Sequence, residues 1–281
     1  MNTVDHLRRI LTRIDGRGYK AYKDLEGTYD FGRFCLYVDH VQGDPFAAPS
    51  KMRLRVPLNQ AGFPPDLFSN RTRQLALEDF VARQVYKAMA GAVKRGLGTG
   101  KSGLLAIDVG EQAVLERSAC KMTPDWVEAR IYVGLPAAGR RILGRQAEMM
   151  LCDQLPRVVE RGLLWRRFPQ DAAKAFVECI ENQEHIRGRL PELDLIAFVA
   201  DGAILPRESG NSQRPLARDD AVLFKSPKAF RVRIDLPNPV SGTPAPGKII
   251  SGMGIPRGTT LIVGGGYHGK STLLQLIREV F

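Results

Sequence analysis

The stretch "TTLIVGGGYHGKSTLLQLI" occupies residues 259–277, and its three parts have different characters. "TTLIVG" is β-branched and apolar, the composition of a buried strand. "GGGYHGKST" is glycine-rich and closes on a lysine followed by two hydroxyls. The run after it sets Leu273, Leu276, Ile277 and Val280 on one helical face. Gly264, Gly269, Lys270 and Ser271 fit the spacing G-x-x-x-x-G-K-[ST] completely. A strand, a glycine loop and a helix N-terminus in that order aim successive N–H groups, and the positive end of the helix dipole, at one anion. The expected nucleotide-binding residues are Gly264, Gly265, Gly266, Tyr267, His268, Gly269, Lys270, Ser271 and Thr272. Lys270 would bridge the β- and γ-phosphates, and the Ser271 hydroxyl would ligate Mg2+.

A second Gly-Lys-Ser lies in "RGLGTGKSG" at residues 95–103, but the first position of the motif is Arg95 instead of glycine. A helical pattern precedes this stretch and a short strand comes after it, the reverse of what a phosphate loop needs. It reads as a flexible basic turn, in which Lys101 could still meet a phosphate through a backbone nest.

Upstream, residues 3–13 read as a helix. Phe34, Leu36 and Val38 alternate as a half-buried strand, and in "KMRLRVP" Met52, Leu54 and Val56 alternate with Lys51, Arg53 and Arg55. Residues 73–95 carry Leu77, Val81, Val85, Ala88 and Ala92 on one helical face, with Arg83, Lys87 and Lys94 nearly opposite. Strands are expected at 103–108, 113–121 and 127–134, and helices at 144–163 and 170–187. "LDLIAFVA" is an apolar strand, 200–220 a polar Gly/Pro-marked loop, and "AVLF", "FRVRIDL" and "GKIISGMGI" are β-like.

Net charge is +11, and residues 51–101 hold ten Lys and Arg against three Asp and Glu. That excess suits an anionic partner, RNA or DNA, and Arg83, Lys87, Lys94, Arg95 and Lys101 are the candidate contacts. A solvated basic face is the other reading of the same residues. Cys35, Cys120, Cys152 and Cys179 are scattered without a CxxC pair, so reduced thiols are expected, and the four histidines form no metal cluster. Asp39, His40 and Asp44 lie close together, as a metal site or an acid–base pair would need, but Asp39 and His40 point to opposite faces of a strand, and the three read as a strand end and an Asp-Pro turn; His185 has no nameable partner. No apolar run is long enough for a membrane helix, and the polar start lacks a secretory signal, so a cytoplasmic chain is expected.

Much of the chain resembles one group, the ATPases of the ABC class that carry a long N-terminal domain. The resemblance rests on "IDGRGYKAYKDLEGTY", "DHVQGDPFAAPS", "GTGKSG", "EARIYVGLPAAGRRILG", "AFVADGAILPRESG", "GMGIP" and "LIVGGGYHGKSTLL". It implies an α+β N-terminal domain, placed at 1–205, followed at 206–281 by the start of an α/β P-loop domain of ABC type. It also implies ATP and Mg2+ as ligands, hydrolysis by a homodimer closing through its ATPase domains, and nucleic-acid binding for some members. Tyr267 departs from the small residue usual there in transporter-type domains. Phe224 and Phe230 are candidates for the ring that stacks on adenine. The ABC pattern continues past its phosphate loop with a glutamine loop, a signature, an acidic strand and a switch histidine. The sequence ends at Phe281, so it reads as the amino-terminal portion of an ATPase, with no turnover expected of this stretch alone. The alternative is a nucleic-acid-binding module with a vestigial or incomplete nucleotide site.

Overall fold

Alternation at residues 51–56 decides which way the first sheet faces. Met52, Leu54 and Val56 are buried, while Lys51, Arg53 and Arg55 point to the other side, as a pleated strand requires. The computed structural model describes residues 1–92, 97–209, 212, 214–240, 247–266 and 269–279. It divides into two units, Met1–Phe176 and Val177–Phe281, and the division falls within a helix. The expected boundary at 205/206 lies in the loop region of the second unit.

In the first unit, strands β1 (Asn2–Thr3), β2 (Gly27–Asp30), β3 (Cys35–His40) and β4 (Ser50–Pro57) precede helix α2 (Leu58–Ala61). Helix α1 (Val4–Ile14) starts at Thr3, whose hydroxyl accepts from the His6 N–H, and buries Leu7, Leu11 and Ile14. Helix α3 (Arg71–Ala90) starts at Asn70, whose side chain accepts from the Arg73 N–H. It stops at Gly91, short of the expected residue 95; the Gly91 N–H closes on the Lys87 carbonyl.

Strands β5 (Leu105–Ala106), β6 (Cys120–Met122) and β7 (Trp126–Val133) complete a seven-stranded sheet ordered β1-β2-β3-β4-β7-β5, with β6 also on β7. The first two are much shorter than the expected 103–108 and 113–121, and residues 113–117 are irregular. A two-stranded ribbon, β8 (Ala137–Ala138) and β9 (Arg141–Ile142), leads to α4 (Gly144–Glu148) and α5 (Leu155–Gly162). Between these two helices the turns at Met149–Gln154 widen to π geometry. Pro156 has no N–H to give to Cys152, and the Leu155 N–H instead reaches back to Met150. Helix α5 lies close on α3: a Cβ at Gly162 would sit 2.9 Å from the Val85 backbone.

Helix α6 (Gln170–Arg189) leads into the second unit, where β10 (Leu195–Ala200), β11 (Arg231–Val240) and β12 (Gly247–Pro256) form an antiparallel sheet ordered β10-β12-β11. The β11–β12 register breaks after Asp235, where Pro237 and Pro239 have no N–H for the ladder. Asn182 ties α6 to β11 by exchanging hydrogen bonds with the Asn238 backbone at 3.0 and 3.2 Å. "AVLF" is not a strand. Phe224 only trades backbone bonds with Gly202 and Ala203. "TTLIVG" is not one either: residues 259–264 pair with no described strand, and Leu261 and Val263 are exposed. Its composition suits a buried strand, but burial needs a neighbour that the antiparallel sheet does not supply. Helix α7 (Lys270–Glu279) comes directly after the glycine loop. No helix among the described residues is long and apolar enough to cross a membrane.

Candidate nucleotide-binding site

The loop from Gly264 to α7 is built on glycine conformations. Gly264 has φ 155° and Gly269 has φ 76°, values that side chains disfavour, and nothing lies within 4 Å of a Cβ placed at Gly266 or Gly269. Gly269 turns the chain directly into α7, and its carbonyl accepts the first intrahelical bond, from the Leu273 N–H at 3.0 Å. The N–H groups of Lys270, Ser271 and Thr272 precede that bond and project from the helix end. The Lys270 side chain folds back over the loop, its Nζ donating to the Gly264 carbonyl at 2.6 Å and the Gly265 carbonyl at 2.5 Å. Ser271 is exposed beside it and Thr272 is half-buried. An ammonium held over a glycine loop, with amides converging from a helix end, fits a polyphosphate. A hydroxyl next in line fits the magnesium that accompanies it. Tyr267 and His268 lie outside the described residues. Of the two adenine candidates, Phe230 is exposed and Phe224 half-buried.

The other Gly-Lys-Ser is held in a different way. Around Lys101 the backbone donors are already engaged: Thr99 to Ala137 at 2.7 Å, Lys101 to Pro45 at 2.9 Å and Gly103 to Gly134 at 2.8 Å. The Ser102 hydroxyl donates to Thr99 and accepts from the Ala137 N–H, and Lys101 Nζ donates to the Ala47 carbonyl. A Cβ at Gly98 would sit 2.3 Å from the Ala137 carbonyl oxygen, and one at Gly100 2.5 Å from that of Pro45. The turn is packed, not flexible, and its amides do not converge on a ligand.

The expected basic contacts separate. Arg83 is spent on Asp79, one turn earlier on α3, at 2.6 Å; that carboxylate is 4 % exposed. Helix α3 is buried on most sides between Ala76 and Ala82, so the expected open basic stripe is narrow there, while Lys87 is exposed. Lys101 belongs to the packed turn, and Lys94 and Arg95 lie outside the described residues. Asp39 forms a two-pronged bond to Arg53, at 2.7 Å on both prongs, and Asp44 caps its own turn by accepting from the Phe46 and Ala47 N–H groups. Neither is poised with His40 as an acid–base pair.

Sequence reading missed a cluster on the polar side of the first sheet. Glu128, 1 % exposed, accepts from Arg53 at 3.2 Å, Arg55 at 2.6 and 2.9 Å and Arg130 at 3.2 Å. The Arg53 and Arg55 guanidiniums lie 4.4 and 5.0 Å from the Tyr37 ring centre, and Arg55 lies 4.2 Å from that of Trp126. Hydrogen bonding to Asp39 pushes the Arg53 guanidinium pKa up, so it is held as a cation. Only the alternation of β4 hinted at the cluster. Among the described residues no group of His, Cys, Asp and Glu could hold a metal ion. Burial pushes the Cys152 thiol up to about 12 and raises that of Cys120 further, which marks both as unreactive core residues.

Comparison with known families matches residues 4–166 to the N-terminal region described as "ATPase of the ABC class". Residues 169–280 match the P-loop domain of the ABC ATPase model. Among curated proteins, no match is found.

Proposed function

Because this chain belongs to the ATPases of the ABC class, we propose that residues 264–272 hold the triphosphate of Mg-ATP and that this binding is coupled to a nucleic acid. The observation that carries the nucleotide reading is the Lys270 ammonium folded over the Gly264 and Gly265 carbonyls at the start of α7. When phosphate oxygens enter, Lys270 exchanges those carbonyls for charged acceptors, and the amides of Gly269 to Thr272 close around the same oxygens. Ser271 presents its hydroxyl to Mg2+. Turnover, in this reading, belongs to two P-loop domains of a cytoplasmic homodimer clamping ATP, with a carboxylate positioning the attacking water.

The basic first unit would hold the coupled nucleic acid: ten cations stand against three carboxylates between residues 51 and 101, and although Arg83 is spent on Asp79 the remaining excess suits RNA or DNA. The nucleotide arm is tested by titrating a fluorescent ATP analogue, with Mg2+, into wild type and Lys270→Ala. The expected result is binding weakened about tenfold or more by the substitution, the loss of one charge-assisted contact. Equal affinity in both proteins would remove the loop from the reading.

A further inference from the structure

The polar side of the seven-stranded sheet carries a pattern that the phosphate loop does not use. Residue parity sets its membership: Tyr37 and Asp39 on β3, Lys51, Arg53 and Arg55 on β4, and Trp126, Glu128, Arg130 and Tyr132 on β7. Strand register lays them out in rows. Lys51 is opposite Tyr132; Arg53 lies between Tyr37 and Arg130; Arg55 is opposite Glu128, and Pro57 opposite Trp126. Successive rows on one face are about 7 Å apart. Rings and guanidiniums therefore interleave along the strands instead of segregating.

The same face continues beyond β7. Gly134 has the parity of Tyr132, and a Cβ there would lie 1.8 Å from the Lys101 carbonyl oxygen, so the packed turn lies over this end of the sheet. The turn adds exposed Lys101, and Phe46 lies against it, its ring 3.1 Å from a Cβ placed at Gly100. Phe46 is 68 % and Tyr132 40 % exposed, and Lys51 and Arg130 are exposed as well. Glu128 engages the arginines from within the face and fixes their planes. On β3, β4, β7 and the turn, five cations, Lys51, Arg53, Arg55, Lys101 and Arg130, stand against Asp39 and Glu128; the rows extend to Asp30 on β2, opposite Cys35, and to Lys121 on β6, opposite Glu128 and paired with Glu78 and Glu116.

We infer that this face is a platform for single-stranded nucleic acid, whose phosphates meet the cations and whose bases stack on Tyr132, Phe46 and the arginine planes. The inference rests on the nucleic-acid reading above and gives it a surface and a strandedness. Charge complementarity selects a polyanion, and exposed flat groups select one with unpaired bases, since a duplex hides its base faces.

The test is anisotropy of labelled oligouridylate, oligothymidylate and a duplex of equal length, against the full chain over a salt series. Single strands are expected to bind more tightly than duplex, with affinity falling steeply as salt rises. Tyr132→Ala and Phe46→Ala should each weaken single-strand binding about tenfold, and Lys51→Ala and Lys101→Ala should each flatten the log–log salt slope by about 0.7. All four side chains are exposed, and circular dichroism of each variant checks that the fold is kept. Single strands bound equally well by all four variants would overturn the platform while leaving the nucleic-acid reading in place. So would a loss confined to Lys87→Ala on α3, or binding to duplex alone. Failure of wild type to bind any of the three probes would overturn both.

Discussion

Replacing Glu128 with Gln separates stability from binding on the same face. The carboxylate is 1 % exposed and accepts four hydrogen bonds from three arginines, the shortest 2.6 Å from Arg55. Gln keeps the volume, deletes the charge and turns an N–H2 group toward guanidinium donors. Breaking a buried ion pair typically costs about 3–5 kcal/mol. The stranded arginines here are a quarter to a half exposed and recover part of that in water, which places the expected loss near 3 kcal/mol. For a unit of this size that corresponds to a melting temperature lower by roughly 6–12 °C, or a urea midpoint lower by about 1.5 M at a slope of about 2 kcal/mol/M. Urea titration followed by tryptophan fluorescence reads it, because Trp126 lies under Arg55. The same substitution removes a negative charge from the proposed platform, so single-strand binding should tighten and its salt slope steepen. A midpoint within about 0.3 M of wild type would refute the energetic reasoning. A destabilised variant with unchanged or weaker strand binding would refute the electrostatic reasoning.

Arg83→Ala should destabilise by about 3 kcal/mol, because it strands the Asp79 carboxylate, whereas Lys87→Ala should stay within about 0.5 kcal/mol of wild type; equal urea midpoints for the two would contradict the pairing. Gly134→Ala forces the turn at Lys101 to move and should cost about 1–3 kcal/mol. Limited proteolysis should then find new cleavage near residues 98–104, and a variant as stable and resistant as wild type would show that the turn does not pack there. Burial raises the hydroxyl of Tyr29 from 10.0 to about 12 and those of Tyr19 and Tyr22 further. The folded values lie above the unfolded one, so this contribution is intact below pH 10 and is lost as pH rises from 10 through the folded values. Urea midpoints measured at about pH 9 and about pH 11 should differ, the second being lower, and equal values would sink the assignment.

How much could be read from the chain depended on how local each feature is. The alternation in β4 gave both faces of the sheet correctly, because a period of two needs only six residues to declare itself. The N-terminal helix declared itself from spacing alone. The runs at 103–108 and 113–121 form much shorter strands than their composition suggests, because apolar composition cannot say how many residues find a partner. "TTLIVG" misled for the same reason: it has the content of a buried strand, and pairing is not a property of the segment. The Glu128 cluster was beyond reach, since its arginines on β4 are 73 and 75 residues away and only the β4–β7 register brings them together. Arg83 has the helical position of a free cation, and what commits it is the burial of Asp79, four residues earlier, which spacing along the helix does not reveal.

Two Gly-Lys-Ser triplets in one chain differ in what they could offer a phosphate. Composition scarcely separates them, and each has glycines with positive φ and an accessible lysine. The difference lies in the element that the serine leads into. After Ser102 the chain runs into the two-residue strand β5, and the amides around Lys101 are consumed by the carbonyls of Pro45, Gly134 and Ala137. After Ser271 it runs into α7, so the first amides of the helix stay aligned and uncommitted to intrahelical bonds. An anion needs several donors at once, and only the second arrangement offers them together. The two lysines are consequently expected to report on different ligands. Substitution of Lys270 should weaken the nucleotide analogue, and substitution of Lys101 should flatten the salt dependence of strand binding. If Lys101→Ala instead lowered analogue affinity as much as Lys270→Ala, the helix would not be the deciding feature, and the assignment of the phosphates to residues 264–272 would have to be withdrawn.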